Sequence, residues 1–320
     1  MRARRGAWRK WKSNLGWAAA WLGAAPVLVG LADLFWTVLA KGVASFHFSM
    51  LTTVTHGIAG GLQNAILGTF ELILLSTAIA APLGILGGVY VSEFAHTKSA
   101  AAVRFLTEVL SGVPSIVIGY FGYLTMVLSF GWGFSALAGG MALAIIMLPY
   151  ILRTTEVSLE QVPRSQREGA WALGMTRFQA VSRVVWRPAA GGIATGVLTA
   201  IAIGMGETAP LLYTAGWSSL NPTWQLTGHQ VGYLTYVIWT YIDQPYPEAH
   251  ALAYSAALLL LGIILIIHLV VRFLVHQSTG SARRHSLASY VRWIRSHASG
   301  VSASSAKRAS ATSTYRIRTR

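Results

Sequence analysis

Six runs of apolar residues, each about 20 residues long and so able to cross a bilayer as a helix, dominate the chain. They are Leu15 to Leu39, Ala65 to Val91, Val113 to Phe130, Ser135 to Leu152, Ala189 to Ala215 and Leu252 to Val275. A segment crossing lipid must satisfy its own backbone hydrogen bonds, which restricts it to a helix or a closed barrel. Barrel strands alternate apolar and polar residues, and these runs do not alternate. Composition agrees, since 54% of the 320 residues are apolar and 11% are charged, against about 25% charged in a soluble domain. The expected fold class is an all-α polytopic membrane protein with six transmembrane helices. Gly112, Pro114, Gly119 and Gly122 interrupt the third run, and a break is expected there.

Orientation follows from the basic residues. The N-terminal arm (1–14) holds 6, the 92–112 connection 2, the 153–188 connection 6, and the segment from Arg272 onward 10. The other three connections share only Lys41. With six spans, the excess of Lys and Arg on cytoplasmic segments places both termini and both basic connections in the cytoplasm. The net charge of +15 is therefore read as anchoring at the membrane face, with no nucleic-acid partner. The basic arm opens like a signal peptide, but the apolar run continues through Trp36, so the first helix is expected to be retained. The tail 277–320 is rich in Ser, Ala and Arg and is expected to be disordered. Within it, Leu287, Tyr290, Val291 and Ile294 fall at helical spacing, which suits a short helix on anionic lipid as well as a solvated tail.

The connection 153–188 is the one long polar segment between spans. Ser165 followed by Glu168 reads as a capping box opening a helix, with Ala170, Trp171 and Leu173 on its apolar face. Gly174 supplies a stop, and Thr176 caps a second helix carrying Phe178, Val181, Val184 and Val185. Composition alone leaves two readings, a loop lying on lipid headgroups and a docking site for a partner.

The string Glu168-Gly169-Ala170-Trp171-Ala172-Leu173-Gly174, followed after nine residues by Val184, resembles the EAA loop of ABC-importer permeases, E-A-A-x-x-x-G-x(9)-I-x-L-P. Gly169 stands where that pattern has alanine, and Pro188 comes one residue late, so a weakened helix start and a shifted exit are expected. Gly206-Glu207-Thr208-Ala209-Pro210-Leu211-Leu212, continuing Tyr213-Thr214-Ala215-Gly216, resembles G-E-T-A-P-L-L-F-T-A-G of phosphate permeases of the PstA type. Pro82-Leu83-Gly84-Ile85, Tyr90-Val91-Ser92-Glu93-Phe94-Ala95 and Gly112-Val113-Pro114-Ser115-Ile116-Val117 resemble further segments of that family in the same order. Together these matches cover about residues 61–275.

The resemblance implies an ABC type I importer permease with its core at 61–275. It also implies a second homologous permease, a dimeric ATPase and an external phosphate-binding protein as partners. In that family the loop is the coupling element inserted into the ATPase, which assigns Glu168, Gly169, Ala170 and Gly174 to coupling. The family usually has an arginine four residues before the glutamate of G-E-T-A-P, where this chain has Ile203.

Other candidate residues follow from physics. Glu207 is a carboxylate in an apolar run, where insertion costs about 2.5–3.5 kcal/mol, so it should face protein or a water-filled path. Ionised Glu207 would repel phosphate unless a cation or a proton intervened, and pairing with a neighbouring subunit is an equal reading. Ser111, Gly112 and Ser115 flank a helix interruption that can leave N–H groups free toward a cavity, with a simple packing kink as the other reading; Thr208 is a further hydroxyl candidate. Asp33, Glu71 and Glu108 are read as interface or paired acids. Gly84 and Gly88, and Gly192 and Gly196, have the spacing of close helix contacts.

No G-x-x-x-x-G-K-[ST] occurs, so ATP and Mg belong on a partner chain, and neither a cofactor nor a catalytic residue is expected on this one. The absence of cysteine removes thiolate ligands, and the nine histidines form no close ligand pair on a helix, so no metal site is expected. The function expected is a permease subunit of an ATP-driven phosphate importer. The alternatives are a permease for another anion, a secondary transporter or channel using Glu207, and a membrane scaffold.

Overall fold

The computed structural model describes residues 2–223 and 225–273. The chain divides into Met1–His268 and Leu269–Arg320, and of the second unit only the helical residues up to Phe273 are described. The tail and the surface helix expected around Leu287 to Ile294 lie outside the described residues.

Helix α1 spans Arg2–Ser45, so the basic arm continues the first span as one helix. A small antiparallel hairpin of β1 (Thr55–His56) and β2 (Ala59–Gly60) follows. Then come α2 (Gln63–Glu93), α3 (Lys98–Gly112) and α4 (Ser115–Gly122), which runs into a π-helical stretch to Ser129. Helices α5 (Ala136–Glu160), α6 (Arg164–Ala172) and α7 (Arg177–Ala180) lead through a π turn, Val181–Val185, into α8 (Trp186–Gly206). The chain ends its described part with α9 (Ala209–Thr214), α10 (Leu234–Tyr241) and α11, Pro247–Phe273.

Five helices are long and apolar enough to span: Ser13–Ser45, Gln63–Glu93, Ala136–Glu160, Arg177–Gly206 and Pro247–Phe273. The pair Lys98–Gly112 and Ser115–Ser129, bent by 99°, makes a sixth if counted as one. This corrects the sequence expectation in two places. Residues 98–112, expected to be a polar connection, form α3, and the fifth run stops at Gly206 instead of continuing to Ala215. Helix α5 also runs to Glu160, eight residues beyond Leu152.

Helix α5 is the most enclosed span, and glycine is the reason. A Cβ on Gly84 would lie 2.8 Å from Ile151 Cβ, and one on Gly88 2.6 Å from Thr155 Cβ and 2.7 Å from the Leu152 carbonyl oxygen. On the other side, Gly192 and Gly196 of α8 press against Ser158 and Thr154 of α5. Lipid supplies no hydrophobic force between helices, so such close backbone approach is what holds spans together. The expected packing role of all four glycines is what the structure shows. Leu72, Leu143, Met147, Ile151, Ala200 and Leu211 fill the space around them.

A side chain at Gly88 would have to push against a backbone carbonyl. Gly88→Leu should destabilise by about 1–3 kcal/mol, the usual cost of overpacking, seen as a lower thermal unfolding midpoint of the detergent-purified protein. An unchanged midpoint would contradict the close α2–α5 contact.

Candidate transport pathway and coupling hairpin

Two helix breaks define the first part of the site. Between α3 and α4, Val113 (φ −75°, ψ 128°) and Pro114 (φ −56°, ψ 134°) are extended. Pro114 imposes this on its neighbour sterically and has no N–H of its own. The Val117 N–H donates to the Pro114 carbonyl at 2.9 Å, whereas the N–H groups of Ser115 and Ile116 donate to no acceptor among the described residues.

The second break lies between α8 and α9. Glu207 is extended (φ −74°, ψ 132°) and Thr208 follows at φ −118°. Pro210, in the first turn of α9, suits a helix start and cannot continue α8. The Thr235 hydroxyl donates to the Glu207 carbonyl at 2.9 Å and fixes the break. Glu207 therefore does not sit within a span, as its apolar flanks suggested, but at the end of one, half-buried and with no ion pair among the described residues.

The two breaks are brought together by helix packing. A Cβ on Gly119 would lie 2.5 Å from Pro210 Cα, and one on Gly122 2.9 Å from Thr214 Cγ2. Contact advances along both helices in the same sense, so α4 and α9 run parallel. Ser115 and the pair Glu207 and Thr208 thus lie at the same end of this helix pair. Tyr120 and Tyr213 meet edge-on with ring centres 6.2 Å apart.

Ser111 and Gly112 are not part of that grouping. Both are exposed at the end of α3, and the Ser111 hydroxyl donates to the Glu108 carbonyl at 2.8 Å. Ser111 instead lines a cavity of about 310 Å³ with Arg104, Glu108, Tyr150, Arg153 and Glu156. Glu156 is 1% exposed. Its Oε1 accepts from Arg104 Nε at 2.6 Å and its Oε2 from Arg153 Nη1 at 2.8 Å. Arg104 also donates to the carbonyls of Ala95 and Val91, both at 3.3 Å, so it ties α3 to α5 and to the end of α2. Sequence reasoning missed this cluster because Arg104 and Arg153 were counted as loop charges. The signal available was Arg153 and Glu156 at helical spacing directly after an apolar run.

Of the other acids, Glu71 is enclosed within the chain and its Oε2 has no partner among the described residues, so it is not an interface residue of this chain's surface. Asp33 and Glu108 are exposed.

The second part of the site is the α6–α7 hairpin. The expected capping box of Ser165 and Glu168 is not formed. Pro163, with φ −54° and ψ 135°, is the residue that opens α6 at Arg164, which leaves Ser165 inside the first turn. Thr176 does cap α7, accepting from the Gln179 N–H at 3.3 Å while Gln179 Oε1 accepts from the Thr176 N–H at 3.0 Å. Gly174 turns the chain at φ +75°, where a side chain is strained. Helix α6 passes through Gly169 without interruption. Pro188 lies in the first turn of α8 behind the π turn, a missing N–H being compatible with widened hydrogen bonding. Ala170 is buried, Glu168 and Gly169 are exposed, and Leu173 and Phe178 are each 80% exposed. These exposed apolar side chains on a charged hairpin suit a partner surface or lipid headgroups, the two readings that composition left open.

The sequence profile described as binding-protein-dependent transport system inner membrane component matches residues 80–278. The chain belongs to this family. Among its relatives, the phosphate transport system permease protein PstA 2 of Mycobacterium bovis is 46% identical over 266 residues, covering 83% of this chain and 88% of that one. The PstA permease of Yersinia pestis is 37% identical over 280 residues, 85% of this chain and 92% of its own. The probable PstA permease of the archaeon Methanocaldococcus jannaschii is 37% identical over 248 residues, 77% and 87% respectively. A chain of the inward-facing MetNI methionine ABC transporter superposes with a TM-score of 0.52 at 19% identity, covering 68% of this chain and 94% of that chain. The last likeness shows the fold, that of an ABC type I importer permease. A family of transport permeases in the inner membrane agrees with the apolar spans and with a role in transport, not catalysis.

Removing Glu156 would strand Arg104 in a partly buried setting. Glu156→Ala should cost about 3 kcal/mol, as expected when one partner of a buried pair is lost. Arg153→Ala should cost under about 1 kcal/mol, because that arginine is largely exposed. Chemical denaturation of the two purified variants measures the difference, and equal costs would contradict the arrangement.

Proposed function

We propose that the chain is a transmembrane permease subunit of an ATP-driven importer of inorganic phosphate. The identity of 46% to a phosphate permease over most of both chains carries this reading. The two helix breaks brought to one end of the α4–α9 pair supply its pathway. Charge asymmetry supports cytoplasmic termini and a cytoplasmic α6–α7 hairpin. In this reading the hairpin docks on an ATPase dimer that holds ATP and Mg, a second homologous permease completes the path, and an external phosphate-binding protein delivers substrate. This chain then carries no cofactor, and lipid surrounds its exposed apolar faces.

The arginines that share a cavity with Ser111 beside the first break, Arg104 and Arg153, both pair with Glu156. The hydroxyls of Ser115 and Thr208 and the free N–H groups at the start of α4 offer hydrogen bonds in place of a cation. Ser111 belongs to the wall of the neighbouring cavity, and Gly112 is exposed at the end of α3. Glu207, half-buried and with no ion pair among the described residues, opposes an anion when ionised and so bears on anion passage at the same break. Transport proceeds by alternating access: ATP-driven closure moves Glu168 to Gly174, and the helices at the two breaks open to the cytoplasm.

The direct test is uptake of radiolabelled phosphate by cells lacking their own phosphate permeases. They are supplied with the partner permease, ATPase and binding protein, with and without this chain. Uptake should require both this chain and ATP. ATP-dependent uptake of a different anion would favour the other-anion alternative, and uptake without the ATPase would favour a secondary transporter using Glu207. Coupling gives a second test. Gly174→Val places a β-branched residue at positive φ, at a cost of about 1–2 kcal/mol, and should lower uptake at least tenfold (about 1.4 kcal/mol) at an unchanged membrane level. Gly169→Ala, whose Cβ would meet nothing within 4 Å, should leave uptake intact. Full uptake by Gly174→Val would count against the coupling role.

A further inference from the structure

The α6–α7 hairpin is tied to a helix that is not its neighbour in sequence. Arg167 of α6 donates from Nη1 to Glu93 Oε1 at the end of α2, and from Nη2 to the Leu159 carbonyl at 3.0 Å. The side chains of this pair are 15% and 9% exposed, and the partners lie 74 residues apart. From α7, the Arg177 guanidinium lies over the ring of Phe94, 5.6 Å from its centre. Each helix of the hairpin thus sends one arginine to one of two consecutive residues that end α2. Phe94 is itself stacked on Tyr90 at 5.2 Å, so the second tether also ends on α2.

Beside these tethers is a cavity of about 670 Å³, whose walls include Ser92, His96, Glu160, Glu168 and Trp171. Space flanks the hairpin where it faces the end of α2, so the tethers bridge α6 and α7 to α2 alongside an open volume. A largely buried arginine that gives one hydrogen bond to a carboxylate and a second to a backbone carbonyl is held by charge-assisted bonds, which fix its position more firmly than apolar contact does. The covalent route from the hairpin leads only to α5 and α8. Helix α2 continues 31 residues to the opposite end of its span, where Asn64 Nδ2 donates to the Ser218 carbonyl at 2.9 Å and Asn64 Oδ1 accepts from the Thr55 N–H at 3.0 Å.

We propose that Arg167 and Glu93 form a strut through which displacement of the α6–α7 hairpin is passed to α2 and so to the far side of the membrane. The proposal rests on the importer reading. Both are positioning residues: they touch neither substrate nor ATP, and they set how far α2 follows the hairpin. Arg167 bears on the end of α2, whereas Gly174 shapes the turn between α6 and α7.

The test uses the whole complex in proteoliposomes, measuring phosphate moved and ATP hydrolysed in the same sample. Arg167→Glu and Glu93→Arg should each lower the phosphate-to-ATP ratio about tenfold, a coupling loss of ordinary size, while hydrolysis continues. The exchanged pair carrying both substitutions should recover most of the ratio. A merely structural role would lower transport and hydrolysis together and leave the ratio unchanged. Glu93→Gln, which keeps the side-chain shape and removes its charge, gives the same readout if the reversed charges hinder assembly, and its ratio should fall as well. Assembled variants that keep the wild-type ratio, or an exchanged pair no better than either single change, overturn the strut alone. A wild-type complex that hydrolyses ATP without moving phosphate overturns the importer reading and the strut with it.

Discussion

Close backbone contact around α5 is the constraint on which the rest of the structure depends. In a bilayer the apolar side chains gain nothing by leaving lipid for protein, so association must come from van der Waals fit and polar links. Gly84 and Gly88 on one side and Gly192 and Gly196 on the other let α2 and α8 approach α5 to a distance that a single methyl group would forbid. Three of the spans are thereby packed into one group. The buried cluster of Arg104, Glu156 and Arg153 adds α3 to that group with charge in place of glycine.

Beside that group, α4 and α9 form a pair with broken connections at one end. Both breaks use the same device, a proline that starts a helix and cannot extend the one before it. The consequence is polar backbone and side chains at positions that a continuous helix would have sealed. Non-helical backbone is tolerated at membrane depth only where protein or water covers it, and this is the ground on which the proposed path is placed at the breaks. The two tyrosines that meet across the pair, Tyr120 and Tyr213, add an aromatic contact beside it.

Much of this was legible in the sequence, for identifiable reasons. Apolar run length gave the spans, and small residues at a spacing of four gave the α5 contacts, because both depend only on helical periodicity. The Thr176 cap and the Gly174 turn were legible because each rests on local backbone chemistry. The end of α8 was not, since Glu207 is flanked by apolar residues on both sides and Pro210 acts three residues later. Ser165 was mistaken for a cap because Pro163, just upstream, opens the helix itself. The Arg104–Glu156 and Arg167–Glu93 pairs join residues 52 and 74 positions apart, and no local pattern encodes such partners; only the Arg153–Glu156 contact was within local reach.

The central claim is that the two breaks face opposite sides of the membrane in turn. The chain contains no cysteine, so Ser115→Cys and Thr208→Cys each introduce the single thiol of this chain. Labelling each variant in the assembled complex with a membrane-impermeant thiol reagent, applied from one side, measures which side the break faces. The account predicts that nucleotide trapping of the ATPase reverses the reactive side at both positions together. Labelling from the same side in both states would contradict it.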